Sequence, residues 1–276
     1  MKINRNYTFT NDRQIWRILI TDSNKLVIED RDIDKKQAYF NCLEAPTGNL
    51  IFRNVQLDEK YWLGIETIYR DIIYFHKFAK PDMPGHRVIM AFDIATQQIL
   101  WQTDDYNFLF IYNDKLYTFR QKFEGREFFV LDYLTGELIN ELGSDTAQIN
   151  QLKENLNDEN KYRNYHFPVI FNNESFKTEP IFPTIQKIIK NSIIEGNIEY
   201  LFFKNLLMFN FFYRNSKGSL DNIFYIINTD NRKTMLKEKI YTNANAYVPD
   251  SFFIKDNLLF LLLEKTKIAV YSLSGM

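Results

Sequence analysis

Phe92-Asp93-Ile94-Ala95-Thr96-Gln97-Gln98-Ile99-Leu100-Trp101 is the stretch on which the reading of the fold turns, because it recurs. Two further copies are Glu44-Ala45-Pro46-Thr47-Gly48-Asn49-Leu50-Ile51-Phe52 and Asp132-Tyr133-Leu134-Thr135-Gly136-Glu137-Leu138-Ile139-Asn140. A degenerate fourth is Asn228-Thr229-Asp230-Asn231-Arg232-Lys233-Thr234-Met235-Leu236. Each copy is an acidic or amide residue, a turn, and a short apolar strand. Gly48 and Gly136 supply the positive φ that a tight hairpin turn favours. Gln97 and Arg232 depart from that pattern.

Working outward, a second motif lies upstream of each copy. Two apolar strands flank a short polar turn: Ser23-Asn24-Lys25, Arg70-Asp71, Asn113-Asp114-Lys115, Lys204-Asn205 and Lys255-Asp256-Asn257. Asn and Asp tolerate the left-handed conformation that short hairpins need. Together the motifs give a four-strand unit, at residues 15–54, 61–103, 106–142 and 199–240. Repeats of about 40–50 residues built of four strands have the period of propeller blades. A last unit at 251–274 has only three strands. The segment Asn6-Tyr7-Thr8-Phe9-Thr10 alternates aromatic and polar residues and supplies the missing outer strand, around Ile268-Ala269-Val270. The expected fold is all-β: a five-bladed β-propeller, closed by that N-terminal strand, as one domain over residues 1–276.

Residues 144–195 break the repeat. Ala147, Ile149, Leu152 and Leu156 recur at near-helical spacing behind Ser144 or Asp145 as a cap. Ile181, Ile185, Ile188 and Ile189 do the same, with Pro183 near the helix start. The segment reads as a helical insertion. The alternative is a degenerate sixth blade. Asp30 to His76 is 46 residues and His76 to Arg120 is 44, whereas Arg120 to Asn210 is 90, about two periods.

The copy from Phe92 to Gln102 resembles the blade repeat of pyrroloquinoline-quinone-type β-propellers, in which an Asp-x-x-Thr-Gly turn precedes an outer strand ending in Trp. More broadly, most of the chain resembles an uncharacterised bacterial family of unknown function. The residues that carry this are Trp16-Arg17, Glu29-Asp30-Arg31, Trp62, His76, the 93–101 repeat and His166-Phe167-Pro168. The resemblance implies a propeller and carries no activity. It implies no quinone either: the terminal Trp appears once, at Trp101, and its equivalents are Phe52, Asn140 and Leu236.

Composition narrows the classes. Lys plus Arg is 34 and Asp plus Glu is 35, for a net charge of −1, without the basic excess of a nucleic-acid binder. Aromatics are 16%, which suits half-buried strands. Apolar runs such as 258–263 are far short of the ~20 residues of a membrane helix, and residues 1–20 hold no apolar leader core. The expectation is a cytoplasmic protein without membrane or nucleic-acid partners. Cys42 is the single cysteine, which excludes an internal disulfide and a cysteine-cluster metal site.

No phosphate loop, nucleophile elbow or zinc-protease motif is present, and no cofactor is expected. His76, His86 and Asp82 bracket a Pro-containing stretch, yet a spacing of ten matches no recognised ligand pattern. They are read as loop residues, with no metal. Glu66 and Glu199 are the inner-strand carboxylates that a glycosidase would need, so a hydrolase acting on a carbohydrate-like substrate is the alternative function.

Aligning the second strands on the residue after the hairpin turn puts Asp30, His76, Arg120, Asn210 and Leu262 at position five. Positions one, three and five share a face. With Arg31, Asp32 and His86 nearby, these residues read as a polar rim: Asp30, Arg31, Asp32, His76, His86, Arg120 and Asn210. The rim either binds a small polar ligand or a protein, or is a mutually satisfied ion-pair network. The preferred function is non-enzymatic binding.

Overall fold

The structure is a computed structural model that describes residues 3–80, 83–156, 162–171 and 182–273. The chain begins on a strand, Arg5–Thr10 (β1). Two compact units follow, one of residues 13–163 and one of residues 1–12 with 164–276. The described residues form five antiparallel sheets of four or five strands. The fold is therefore all-β with few helices.

Unit 13–163 holds three four-stranded meanders. The first runs Gln14–Ile20 (β2), Lys25–Asp32 (β3), Gln37–Glu44 (β4) and Leu50–Val55 (β5). The second runs Leu63–Tyr69 (β6), Ile72–Lys80 (β7), Met83–Asp93 (β8) and Gln98–Thr103 (β9). The third runs Asn107–Tyr112 (β10), Lys115–Lys122 (β11), Gly125–Asp132 (β12) and Leu138–Gly143 (β13). Helix Thr146–Asn155 (α1) follows, with Asp145 as its N-cap accepting from the Ala147 and Gln148 amides at 2.9 and 3.2 Å.

The apolar runs of the middle sheet follow from burial on both faces. Ile73 and Phe75 of β7 pack with Val27, Phe40 and Phe52 of the first sheet. Their neighbours Ile72 and Tyr74 pack with Ile111, Leu116 and Leu131 of the third. A strand covered on both sides reads as continuously hydrophobic rather than alternating. The third sheet lays Phe110, Tyr117, Phe128 and Val130 against Ile149 of α1.

The other unit holds two five-stranded sheets. In one, Tyr165–His166 (β14) is the edge beyond the strands later in the chain. In the other, Val169–Ile170 (β15) is followed by helix Phe182–Ile189 (α2). Ile194–Phe203 (β16), Leu206–Arg214 (β17), Leu220–Asn228 (β18) and Thr234–Ala244 (β19) complete that sheet. Phe252–Lys255 (β20), Leu258–Leu263 (β21) and Lys267–Ser272 (β22) complete the first, in the order β1-β22-β21-β20-β14. Among the described residues between β13 and β16, therefore, lie not only two helices but two short strands, each extending a sheet edge. Strand β17 alternates cleanly: Leu206, Met208 and Phe212 face β20–β22, while Leu207, Phe209 and Phe211 pack with Ile185 of α2.

Strand β1 lies antiparallel on β22, with Phe9 opposite Ile268 and Thr8 opposite Ala269. Phe9 and Ile3 are buried, and the Arg5 guanidinium meets Glu238 at 2.5 Å and the Tyr271 hydroxyl at 3.0 Å.

The recurring turn has one backbone form in all four copies. The amides of Gly48, Gln97, Gly136 and Arg232 donate to the carbonyls four residues earlier at 2.8–2.9 Å. All four residues have positive φ, between 58° and 76°. The acidic or amide residue that opens the turn receives amides within it: Asp93 from Thr96 at 2.9 Å, Asp132 from Thr135 at 2.8 Å, Asn228 from Asn231 at 3.0 Å. Gly136 is the copy in which glycine is obligatory. A Cβ there would stand 2.6 Å from the Trp101 ring, whose Nε1 donates to the Tyr133 carbonyl at 3.3 Å. Gly136→Ala combines a left-handed L-residue with overpacking, and we expect a loss of about 2–4 kcal/mol in urea unfolding. A loss below ~0.5 kcal/mol, the scatter of ordinary surface changes, would refute the close approach.

Candidate functional site

The second sheet gathers three side chains that the sequence separates. Strand β6 carries a bulge. Ile65 pairs with Phe75 and Thr67 with Tyr74, so Glu66 is the extra residue, and a bulge re-aims the side chain at its apex. A second irregularity lies between β7 and β8. His76 pairs with Ile89 and Lys77 with Arg87, which leaves Val88 extra at a φ of 60°. The corresponding second-to-third-strand ladders in the other four sheets, β3–β4, β11–β12, β17–β18 and β21–β22, run unbroken. A β-branched residue at positive φ costs about 1–3 kcal/mol, and such strain concentrates at functional positions.

The slipped register brings His86 opposite Phe78 and over His76. The two imidazoles stack with centroids 3.5 Å apart and planes within 6°. Glu66 sits at their Nδ1 edge: Oε2 is 2.6 Å from Nδ1 of His86 and 2.9 Å from Nδ1 of His76. The His86 contact is a hydrogen bond. The His76 contact lies off the line of one, so neither ring nitrogen of this buried imidazole makes a hydrogen bond among the described residues. Phe78 stands edge-on to both rings, at 5.1 and 5.6 Å. On the far side Gly64 allows the approach: a Cβ there would stand 3.3 Å from His76 Cε1 and Nε2. The Arg17 guanidinium donates to the Ile65 carbonyl beside the cluster.

Burial raises the Glu66 carboxyl, but His76 and His86 outweigh it and hold the group below the ordinary carboxylate range. Burial is also the main cause that holds His76 below the usual imidazole value, helped by the charges of His86 and Arg17 and opposed by Glu66. The resting cluster is thus an ionised carboxylate beside a neutral, buried imidazole.

The other rim candidates lie apart in function. Adjacent residues of β3 point to opposite faces. Asp30 takes the Arg13 Nε at 2.9 Å and the Asn41 amide at 3.3 Å. Arg31 turns the other way. Its Nε meets Glu29 at 2.8 Å, and its remaining nitrogens meet the carbonyls of Tyr61 at 3.1 Å and Leu63 at 2.6 Å. Trp16 and Tyr61 cover it at 5.0 and 5.3 Å. Asp32 accepts the Lys35 amide at 2.9 Å in the hairpin turn. Arg120 donates to the Asp105 carbonyl at 3.1 Å and lies over Tyr106 and Phe129.

Asn210 belongs to the other unit, where it is buried opposite Glu199 on β16 with its Oδ1 unpaired among the described residues. Glu199 is also buried and accepts from the Tyr247 hydroxyl at 3.2 Å and the Asp250 amide at 3.1 Å. His76 and His86 are strand residues of one hairpin rather than loop residues, and Asp82 lies outside the described residues. Sequence reasoning set Glu66 beside Glu199 and missed it as the partner of the histidines. Its only trace in the sequence was the inner-strand position, because a bulge has no residue signature here.

Residues 20–101 match the profile of a domain of unknown function, DUF4905, and that span includes Glu66, His76 and His86. No curated protein sequence matches. Solved structures that superpose on the chain include an uncharacterized protein from Listeria monocytogenes, at 14% identity and a TM-score of 0.33, covering 91% of this chain and 75% of that one. The β-propeller domain of the Trilobed protease from Pyrococcus furiosus, described as having an open velcro topology, shows 13% identity and a TM-score of 0.34 over 95% and 70%. A eukaryotic initiation factor shows 7% identity and a TM-score of 0.35, and this chain spans about half its length, 53%.

Proposed function

We propose that the protein is a bacterial, cytoplasmic five-bladed β-propeller that works by binding rather than by catalysis, and that it takes a polar ligand at the face formed by Glu66, His76 and His86. The common four-strand plan of the sheets and the seating of β1 on β22 support the blade reading. No described helix is long and apolar enough to cross a membrane.

The observation that carries the site is His76: a buried imidazole whose Nε2 has no hydrogen-bond partner among the described residues and whose Nδ1 has only the Glu66 carboxylate, 2.9 Å away and off the hydrogen-bond line. A buried polar atom left in that state costs about 1–3 kcal/mol, and a ligand that satisfies it recovers the loss. The strain at Val88, which brings His86 over that ring, belongs to the same arrangement. Glu199 also leaves its Oε2 without a hydrogen bond among the described residues, but the hydrolase reading needs two free carboxylates. Glu66 is engaged by two imidazoles, and Glu199 is held by Tyr247 and Asp250 in the other unit.

The test is a thermal-unfolding screen of the full chain against inorganic anions, di- and tricarboxylates, nucleotides, sugars and divalent metal salts. A solute at 100 times its Kd stabilises the folded state by about 2.7 kcal/mol, a shift of a few degrees. We expect at least one polar solute to raise the midpoint of the native protein and to lose that effect in His86→Ala. A screen without a hit, or a hit unaffected by His86→Ala, would overturn the reading.

A further inference from the structure

We propose that the ligand of this face is a first-row divalent transition-metal ion, zinc in class, held by Glu66, His76 and His86 with at least one coordination position left open. The inference rests on the reading that this face binds a polar ligand, and it names the ligand's chemistry.

The donor set selects the metal. Two imidazoles and one carboxylate suit zinc, iron, nickel or copper, whereas calcium and magnesium take oxygen ligands almost exclusively. Three protein ligands are the number found where a zinc ion keeps a position for water or a further ligand. The donor atoms of Glu66, His76 and His86 all lie within 4.8 Å of one another.

The donors lie somewhat closer together than a shared ion would hold them. Two donors bound at ~2.1 Å to one ion stand ~3.0 Å apart at a right angle and ~3.4 Å apart in a tetrahedron. The carboxylate oxygen is 2.9 and 2.6 Å from the two Nδ1 atoms, and the ring centroids are 3.5 Å apart. Accommodating a tetrahedral ion therefore asks the carboxylate oxygen to withdraw by about 0.5–0.8 Å and the rings to splay by tens of degrees, because parallel stacked imidazoles direct their Nδ1 lone pairs side by side rather than at one point. His86, the more exposed of the two, is the ring placed to make that tilt, while Gly64 and Phe78 brace His76.

The Arg17 guanidinium, which donates to the Ile65 carbonyl beside the cluster, disfavours a second cation and favours an anion or hydroxide in the open position.

One feature of the backbone is particular to this cluster: the Val88 slip, unlike any second-to-third-strand pairing in the other sheets, stacks the histidines. The Glu66 bulge has counterparts at Trp16 in β2 and Leu109 in β10, and in this sheet it turns a carboxylate toward the hairpin.

The experiment uses the full chain, stripped with a chelator and dialysed into chelator-free buffer. Zn²⁺ alone is titrated by calorimetry and Co²⁺ alone by visible absorption. We expect one equivalent of either ion, a ligand-field band for Co²⁺, and a loss of about 100-fold or more in affinity in His86→Ala and Glu66→Gln, beyond what a lost outer-shell partner costs. His86 is half exposed, so His86→Ala leaves the fold intact by circular dichroism; His166→Ala, the remaining histidine, serves as the control with unchanged binding. Binding that is absent, or that survives both His86→Ala and Glu66→Gln, overturns the metal inference. If metals fail while a non-metal solute of the thermal screen stabilises the native chain but not His86→Ala, the metal is wrong and the binding face stands. If no solute of either kind acts, both fall.

Discussion

A chain lacking residues 1–11 loses several kcal/mol of stability, enough to unfold a domain of ordinary margin. Removal of β1 strips the ladder from β22 and uncovers the face that Ile3 and Phe9 now cover. Burying one large apolar side chain is worth about 1.5–3 kcal/mol, so these two alone account for roughly 3–6. Tyr271 and Glu238 also lose the Arg5 guanidinium that joins them. The bared strand presents unpaired amides and carbonyls and pairs with other molecules. The check is a urea titration with light scattering. A midpoint unchanged by the truncation would show that β1 contributes nothing to the fold.

Arg31→Ala has a comparable effect for a different reason. Arg31 and Glu29 are both buried, with Nη2 2.5 Å from the carboxylate. Glu29 also receives the Ile65 amide at 3.4 Å, and Arg31 closes on the carbonyls of Tyr61 and Leu63, so the pair ties β3 to the second sheet. Removing one partner strands the other charge in a low-dielectric interior, which costs about 3–5 kcal/mol. Replacing both, as Glu29→Met with Arg31→Met, removes the stranded charge and is expected to recover much of the loss. The pair of measurements discriminates two roles. A large single loss with recovery in the double variant marks a structural tie. A loss under ~1 kcal/mol would return Arg31 to the list of candidate ligand contacts.

How much of this was legible in the sequence depends on the length scale. The turns were legible because their chemistry is local: Asp93, Asp132 and Asn228 receive the amides of their own turns. Gln97 and Arg232 broke the glycine pattern in sequence yet hold the same positive φ, because the turn's hydrogen bonds outweigh about 1–2 kcal/mol of left-handed strain. The seating of β1 was legible from the alternation of Tyr7 and Phe9 against a final repeat one strand short.

The site was legible only in pieces. Aligning second strands brought His76 forward, but grouping Asp30, Arg31 and Asp32 as one rim ignored the pleat, which sends Arg31 to the opposite face from Asp30. The meeting of Glu66 with His86 was not legible. It depends on two extra residues, in β6 and β8, and a single-residue slip redirects a side chain without leaving a compositional mark.

The pairing of β1 with β22 also sets the order of events during synthesis. Thr10 meets Lys267, so 257 residues must be made after the first partner before the second exists. At about 5–20 residues per second the first strand waits for tens of seconds without its neighbour, exposing Phe9 and a run of unpaired backbone. During that interval the nascent segment presents an open strand edge of the kind that pairs with other chains. The wait ends when β22 leaves the ribosome.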